Sequence, residues 1–130
     1  MPGDLVHVEI VAKDGEKART FYSTLLGWKF GESGMPGMDY CMTENSKPIV
    51  AVYTDKEPKG PIVYFAVDDI DKAIAIARKS GGKAEEKQPI PGQGWFTSCV
   101  DPDGNSFSLF EEDHSVEMPQ QPAVTGGASR

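Results

Sequence analysis

His7 and Glu9 are residues whose types and spacing could do chemistry. They stand two positions apart in LVHVEIVA (residues 5–12), a stretch that alternates as a strand does. Side chains at i and i+2 of a strand share one face, so the imidazole and the carboxylate are expected side by side. Such a pair could bind a cation or transfer protons, because a nearby carboxylate makes an imidazole more basic. The structural alternative is a hydrogen-bonded core histidine beside a glutamate that faces solvent or a backbone group.

A second chemical signal is the acidic end of DPDGNSFSLFEED, residues 101–113. Alternation along this strand places Ser108 on one face and Glu111 on the other. Glu112 has the same parity as Ser108 but lies four residues further on, roughly 13 Å away at strand rise. Neither acid, nor His114 beyond them, is therefore expected to take the place of Ser108 in a site.

The first half of the chain is predicted to be a strand, a helix and three more strands. Asp14 can cap the helix and Gly27 can end it. The predicted strands cover residues 5–12, 28–32, 38–44 and 48–54. An apolar stripe at helical spacing is expected to face the sheet, and its members are Ala18, Phe21, Tyr22, Leu25 and Leu26.

The second half repeats the same order. PIVYFAVD (61–68) is apolar at successive positions and predicts a buried strand. A helix follows in DIDKAIAIARKSGG, where Gly81 and Gly82 end it. Three further strands are predicted over residues 83–87, 94–100 and 105–111. Since neither half could bury a sheet face alone, the two are expected to pair in one domain, 1–113, with modules 5–54 and 61–112. Residues 114–130 lack periodicity and are expected to be a disordered tail.

Composition restricts the possible functions. Twenty acidic residues against thirteen basic ones give a net charge of −7 and no basic stripe, which argues against nucleic acid as a partner. No apolar run is long enough to cross a bilayer and the first residues do not resemble a signal peptide, so a cytoplasmic location is expected and no membrane partner. Cys41 and Cys99 could pair by number, but two reduced thiols are expected in that compartment. Phosphate-loop and nucleophile-elbow motifs are missing from the sequence.

FYSTLLGW at the end of the first helix and DPDGNSFSLFE near the end of the chain carry a family resemblance. Together with the duplicated order of elements, they resemble the vicinal oxygen chelate superfamily, which includes glyoxalase I, extradiol dioxygenases and bleomycin-resistance proteins. VYFAVDDIDKA and PIPGQGWF are similar to its small glyoxalase-related branch. The resemblance covers about residues 5–112 and implies an α+β fold, in which two βαβββ modules form a cleft-shaped mixed sheet.

The resemblance also implies where metal ligands would stand in metal-using members. The first-strand position falls on His7, a good ligand type. The equivalent position of the second module falls on Val63, and the last-strand position falls on Ser108, where a glutamate is expected. The fourth position lies within residues 50–52, which are all apolar. His7 is thus the one matching ligand position, so no cofactor is expected, although a divalent metal is possible.

The resulting functional prediction is a mostly apolar cleft that binds a small molecule without the usual metal site. Such a pocket would be similar to that of the bleomycin-resistance proteins. The expected ligand-binding residues are Val63, Phe65, Trp95, Ser108 and Phe110. The alternative is a lyase or isomerase of glyoxalase I-like class that uses His7 and Glu9, with a metal or by acid–base chemistry. A purely structural or interaction role is a third possibility, and a homodimer is implied by the resemblance.

Overall fold

The computed structural model describes residues 2–33 and 37–117. Two helices and eight strands make up the fold within these residues. In chain order they are β1 (Leu5–Ala12), α1 (Gly15–Leu26), β2 (Tyr40–Met42), β3 (Ile49–Thr54), β4 (Ile62–Ala66), α2 (Ile70–Lys79), β5 (Lys83–Ala84), β6 (Gln88–Ile90), β7 (Gly94–Val100) and β8 (Ser106–Glu112).

All eight strands belong to one mixed sheet, in which β1 and β4 are the central pair. The order is β2-β3-β1-β4-β8-β7-β5, and β6 also pairs with β7. β1 runs parallel to β3 and antiparallel to β4, while β4 runs parallel to β8. Each half therefore builds one side of the sheet, and the halves join through their first strands. This arrangement confirms the predicted α+β class and the joining of two similar modules.

Both helices begin with an aspartate cap. Asp14 accepts a hydrogen bond from the Lys17 backbone N–H, and Asp69 accepts one from that of Lys72. α1 ends at Gly27, whose φ of 73° lies in the left-handed region that favours glycine. The predicted start and end of α1 are thus confirmed.

Several predicted strands are shorter than the sequence suggested. In place of a strand over 28–32, the structure has a single bridge from Phe30 to Thr43. The strand predicted over 83–87 is reduced to β5, and β6 was not predicted at all. Pro89 lies in β6, and a proline lowers the strand signal because it cannot donate to a ladder.

The two helices lie on one face of the sheet, which we call the helix face. A buried apolar cluster on this face joins α2 to β7 and β8 through Ile70, Ile74, Cys99 and Leu109. Cys41 and Cys99 are both buried and free, as expected.

The apolar stripe of α1 was predicted to face the sheet, and this prediction is wrong for three of its members. Phe21, Leu25 and Leu26 are between 51% and 63% exposed. The helix is turned so that Gly15 and Arg19 face the sheet: a Cβ on Gly15 would stand 2.8 Å from the Thr54 hydroxyl, and the Arg19 guanidinium donates to the Val52 carbonyl. These contacts of Gly15 and Arg19 with the sheet set the rotation of α1 about its axis, and they leave much of its apolar stripe on the surface.

The ordered fold continues past residue 113, where the tail was expected to begin. Val116 is 8% exposed, and its carbonyl accepts a hydrogen bond from the Gly92 N–H. The His114 ring also hydrogen-bonds the Gly92 carbonyl. Residues 114–117 are therefore attached to the turn before β7, while the remainder of the predicted tail lies outside the described residues. Neither helix is long and apolar enough to cross a membrane within the described part of the chain.

Candidate functional site

The face of the sheet opposite the helices, which we call the open face, carries the predicted His7–Glu9 pair. Strand pairing places His7 beside Tyr64 of β4, and Tyr64 beside Ser108 of β8. The same parity continues to Tyr40 at the other end of the sheet. These side chains come from β1, β2, β4 and β8, so the sheet brings together residues from both halves of the chain.

Glu9 is the centre of this group. It is 9% exposed, and each of its carboxylate oxygens accepts a hydrogen bond from a tyrosine. The Tyr40 hydroxyl donates to Oε2 at 2.7 Å, and the Tyr64 hydroxyl donates to Oε1 at 3.0 Å. Ser108, only 2% exposed, stands beside Tyr64 on the neighbouring strand β8. A buried carboxylate is costly unless it is hydrogen-bonded, and these contacts meet that requirement.

His7 joins the same network through its Nε2 atom. Nε2 lies 3.0 Å from the Tyr40 hydroxyl and 3.9 Å from Glu9 Oε2. Burial lowers the pKa of His7 below its ordinary value of 6.5, and the Glu9 carboxylate opposes that shift in part. The imidazole is therefore favoured in its neutral form near neutral pH.

The two tyrosines keep their protons. Burial raises the pKa of Tyr40 and of Tyr64 far above the ordinary value of 10, and the nearby Glu9 carboxylate raises both further. Both phenols therefore remain hydrogen-bond donors, which is the form that the Glu9 carboxylate needs.

Aromatic rings extend the open face on both sides of Glu9. Tyr53 packs on Tyr40 with ring centroids 5.4 Å apart. Phe96 lies 6.4 Å from Tyr64, and strand pairing places Phe110 next to Phe96. These rings are all partly exposed, so a flat apolar molecule could contact them.

Four of the seven predicted site residues lie on the open face: His7, Glu9, Ser108 and Phe110. The other three lie on the helix face. Val63 and Phe65 alternate with Tyr64 and point to the helix face, where Phe65 packs on the α2 cluster. Trp95 also packs there, with the Lys87 ammonium 4.4 Å from its ring centroid.

The physical reason is that β4 is apolar on both faces, so its sequence does not reveal which side chains meet the helices. Val63 and Phe65 instead line a separate open groove of about 350 Å³ on the helix side, with Phe107 and Asn105 among its other walls. That groove and the Glu9 network lie on opposite faces of the sheet.

The acids at the end of β8 lie where parity predicted. Glu111 points to the helix face, and its carboxylate accepts a hydrogen bond from the Ile70 N–H at the start of α2. Glu112 is exposed and pairs with His114 at 3.0 Å. Glu111 thus serves as a helix cap rather than as a site residue.

Sequence reasoning missed Tyr40, Tyr53, Tyr64 and Phe96. One signal could have found Tyr64: it stands five residues before the cap Asp69, as Glu9 stands five residues before the cap Asp14. Aligning the two halves on their helix caps puts these two residues at equivalent positions. Tyr40 had no comparable signal, since its contact with Glu9 depends on the pairing of β2 with β3.

The side chains of the open face do not fit a divalent metal ion. Within residues 2–33 and 37–117, no three His, Cys, Asp or Glu side chains converge on one point. Both Glu9 oxygens are already occupied by tyrosine hydroxyls, and the Ser108 hydroxyl is a neutral, weak ligand. Ala51, which pairs with Glu9 from β3, offers no donor.

Known proteins support the fold and the superfamily. The family described as "Bleomycin resistance protein-like N-terminal" matches residues 4–46. The anthracycline biosynthesis protein DnrV of Streptomyces peucetius is 29% identical over 134 residues, which cover 99% of this chain and 47% of that protein. The chain thus spans about half the length of the curated relatives it matches.

Solved structures of the same fold include two with broad coverage. Methylmalonyl-CoA epimerase from Mycobacterium tuberculosis has a TM-score of 0.66 at 16% identity, covering 96% of this chain and 92% of that one. A glyoxalase/bleomycin resistance protein/dioxygenase superfamily member from Vibrio splendidus 12B01 has a TM-score of 0.64 at 16% identity, covering 81% and 96%. The paired modules and these matches support the predicted place of the chain in the vicinal oxygen chelate superfamily, and the solved structures show that it has the fold of that group.

Proposed function

We propose that the open face binds a small organic molecule against its aromatic rings, without the metal site used by other superfamily members. One observation carries the proposal: a buried Glu9 carboxylate is held by two tyrosine hydroxyls in the middle of a partly exposed aromatic surface. Small-molecule sites typically combine apolar and aromatic walls with a few well-placed polar groups.

A purely structural role explains this network less well. Replacing buried charged groups with apolar ones of similar volume is often neutral or stabilising, so stability alone does not require a carboxylate here. The open face is also less apolar than the sequence suggested, because Tyr40 and Tyr64 lie there beside Glu9 in place of the expected Val63 and Phe65. The ligand is accordingly expected to have an apolar or aromatic body and at least one polar group. The net charge of −7 favours a cationic ligand.

The similarities to a bleomycin resistance family and to an anthracycline biosynthesis protein support a role that involves a small organic molecule.

A ligand screen by thermal shift tests the proposal. Compounds that raise the melting temperature of the wild-type protein should raise it less in Phe110→Ala, which removes a ring from the open face. Ile76→Ala is the matched control, because Ile76 is 64% exposed on α2. Stabilisation that persists unchanged in Phe110→Ala but is lost in a variant of the helix-side groove, such as Val63→Ala, would place binding on the wrong face and overturn the proposal.

A second candidate is a lyase or isomerase that transfers protons through His7 and Glu9. The observation that favours it is the imidazole 3.9 Å from a buried carboxylate, with a pKa lowered by burial so that it can accept a proton near neutral pH. The fold shared with methylmalonyl-CoA epimerase is compatible with this chemistry.

Metal analysis separates a metal enzyme from the metal-free site. The protein would be purified without added metal, and its metal content and its melting temperature with Zn, Ni, Mn and Fe salts would be measured. No stoichiometric metal and no stabilisation that depends on His7 are expected. Bound metal that is lost in His7→Ala would contradict the metal-free proposal and favour the enzyme.

We also propose a homodimer. Phe21 and Leu25 leave apolar surface exposed on α1, and the matched relatives are about twice as long as this chain. Light scattering after size exclusion should report a dimer for the wild type and a larger monomer fraction for Leu25→Glu. A wild-type monomer at high protein concentration would reject this proposal.

A further inference from the structure

Proton positions in the Glu9 network follow from counting donors. The carboxylate can only accept, so the single O–H of Tyr40 is directed at Oε2 and the O–H of Tyr64 at Oε1. The Tyr40 oxygen can then only accept from His7. The 3.0 Å contact between the two is therefore a hydrogen bond from His7 Nε2–H to the Tyr40 oxygen.

This direction determines the tautomer of the imidazole. A neutral histidine carries one N–H, and the proton on Nε2 leaves Nδ1 as an acceptor with a free lone pair. No group in residues 2–33 or 37–117 hydrogen-bonds Nδ1, and the His7 side chain is 20% exposed. The Tyr64 ring meets the imidazole edge to face at 5.1 Å and restricts its rotation.

We propose that Tyr40 is a positioning residue that holds His7 as the Nε2–H tautomer, so that Nδ1 is the atom the site offers to a ligand. The ligand class that Nδ1 recognises is one with an O–H or N–H donor next to an apolar or aromatic body. This last step rests on the proposed binding function, whereas the tautomer does not. If the site transfers protons, Nδ1 is the atom that accepts one.

Imidazole NMR of the full chain tests the tautomer without a ligand. The sequence contains two histidines, His7 and His114, so a His114→Gln variant assigns the spectrum. At a pH where the ring is neutral, the ¹⁵N-labelled protein should show a protected proton on Nε2 of His7 and an unprotonated Nδ1. A proton on Nδ1 in the wild type would overturn the proposal.

Two tyrosine variants distinguish positioning from general packing. Tyr40→Phe removes the acceptor and should abolish the protected Nε2–H resonance. Tyr53→Phe, which changes the adjacent ring but no group bonded to His7, should retain it. Persistence of the resonance in Tyr40→Phe would show that Tyr40 does not hold the proton. The wild-type spectrum remains decisive even if Tyr40→Phe fails to fold.

Phenol and anisole test the ligand class, since both are aromatic but phenol alone has an O–H. Titration with phenol should shift the Nδ1 resonance of His7, and anisole at the same concentration should leave it unchanged. An equal response to both, including none, would overturn the assignment of Nδ1 as the ligand acceptor. The tautomer can thus be correct while binding fails, and the two failures are distinguishable.

Discussion

The hydrogen bond from Tyr64 to Glu9 allows the most direct test of the network. Tyr64→Phe keeps the ring but removes the hydroxyl that donates to Oε1 at 3.0 Å. A hydrogen bond to a charged group contributes about 1.5–3 kcal/mol, so this variant should lower the free energy of unfolding by that amount.

A double-mutant cycle isolates the contact itself. Glu9→Met removes the acceptor while keeping a long side chain in the same space. In that background the Tyr64 hydroxyl has lost its acceptor, so adding Tyr64→Phe should cost little or stabilise the protein. The interaction free energy between the two positions is therefore expected to be about 1.5–3 kcal/mol, within the range measured for residues in contact.

Urea denaturation followed by circular dichroism measures all four proteins of the cycle. The slope with denaturant should stay constant, so that shifts of the midpoint report stability alone. Tyr53→Phe is the control, because Tyr53 shares the open face but makes no hydrogen bond to Glu9 among the described contacts; its effect should stay within about 0.5 kcal/mol. An interaction free energy below about 0.5 kcal/mol for Glu9 and Tyr64 would refute the network.

Four further predictions test other parts of the structure. The pKa of His7 in the folded protein lies below 6.5, so the unfolded chain binds more protons than the folded protein just under that pH. The free energy of unfolding should therefore fall as the pH drops through 6.5 toward the folded pKa. His7→Gln should lack this loss when its stability is measured in urea at the same pH values. His114, whose pKa is raised by Gly92 and Glu112, should contribute oppositely, with stability present below pH 6.5 and lost as pH rises through its folded pKa. Glu111→Ala should lower the free energy of unfolding in urea by roughly 1 kcal/mol, because it removes the acceptor at the start of α2. Glu112→Ala changes an exposed residue and should be nearly neutral. Equal effects of the two variants would contradict the cap. Gly94→Ala should cost about 1–3 kcal/mol or more, because the new Cβ would overlap the Glu111 carbonyl; a variant as stable as wild type would contradict the close strand approach.

Local rules predicted the parts of this molecule that depend on neighbouring residues. The caps at Asp14 and Gly27 follow from side-chain and backbone preferences within one turn. The shared face of His7 and Glu9 follows from strand geometry, and so does the position of Glu111 on the face opposite Ser108. Fold class followed from the repeated order of these elements and from the family motifs.

Features that depend on distant contacts could not be predicted in the same way. The two faces of β4 are both apolar, so alternation within the strand does not show that Tyr64, and not Val63, shares the face of Glu9, whereas its pairing with β1 and β8 does. The rotation of α1 is set by Arg19, whose partners Val52 and Asp39 lie at least twenty residues away. Composition and periodicity do not predict such contacts.

The equivalence of Glu9 and Tyr64 has a consequence for how this site could arise. If two identical modules met through their first strands, the same side chain would occupy both positions: two carboxylates that repel one another or two phenols without an acceptor. A donor facing an acceptor requires the modules to differ, and two modules on one chain can mutate separately. Covalent linkage of the halves thus makes an asymmetric site possible at the centre of a nearly symmetric sheet.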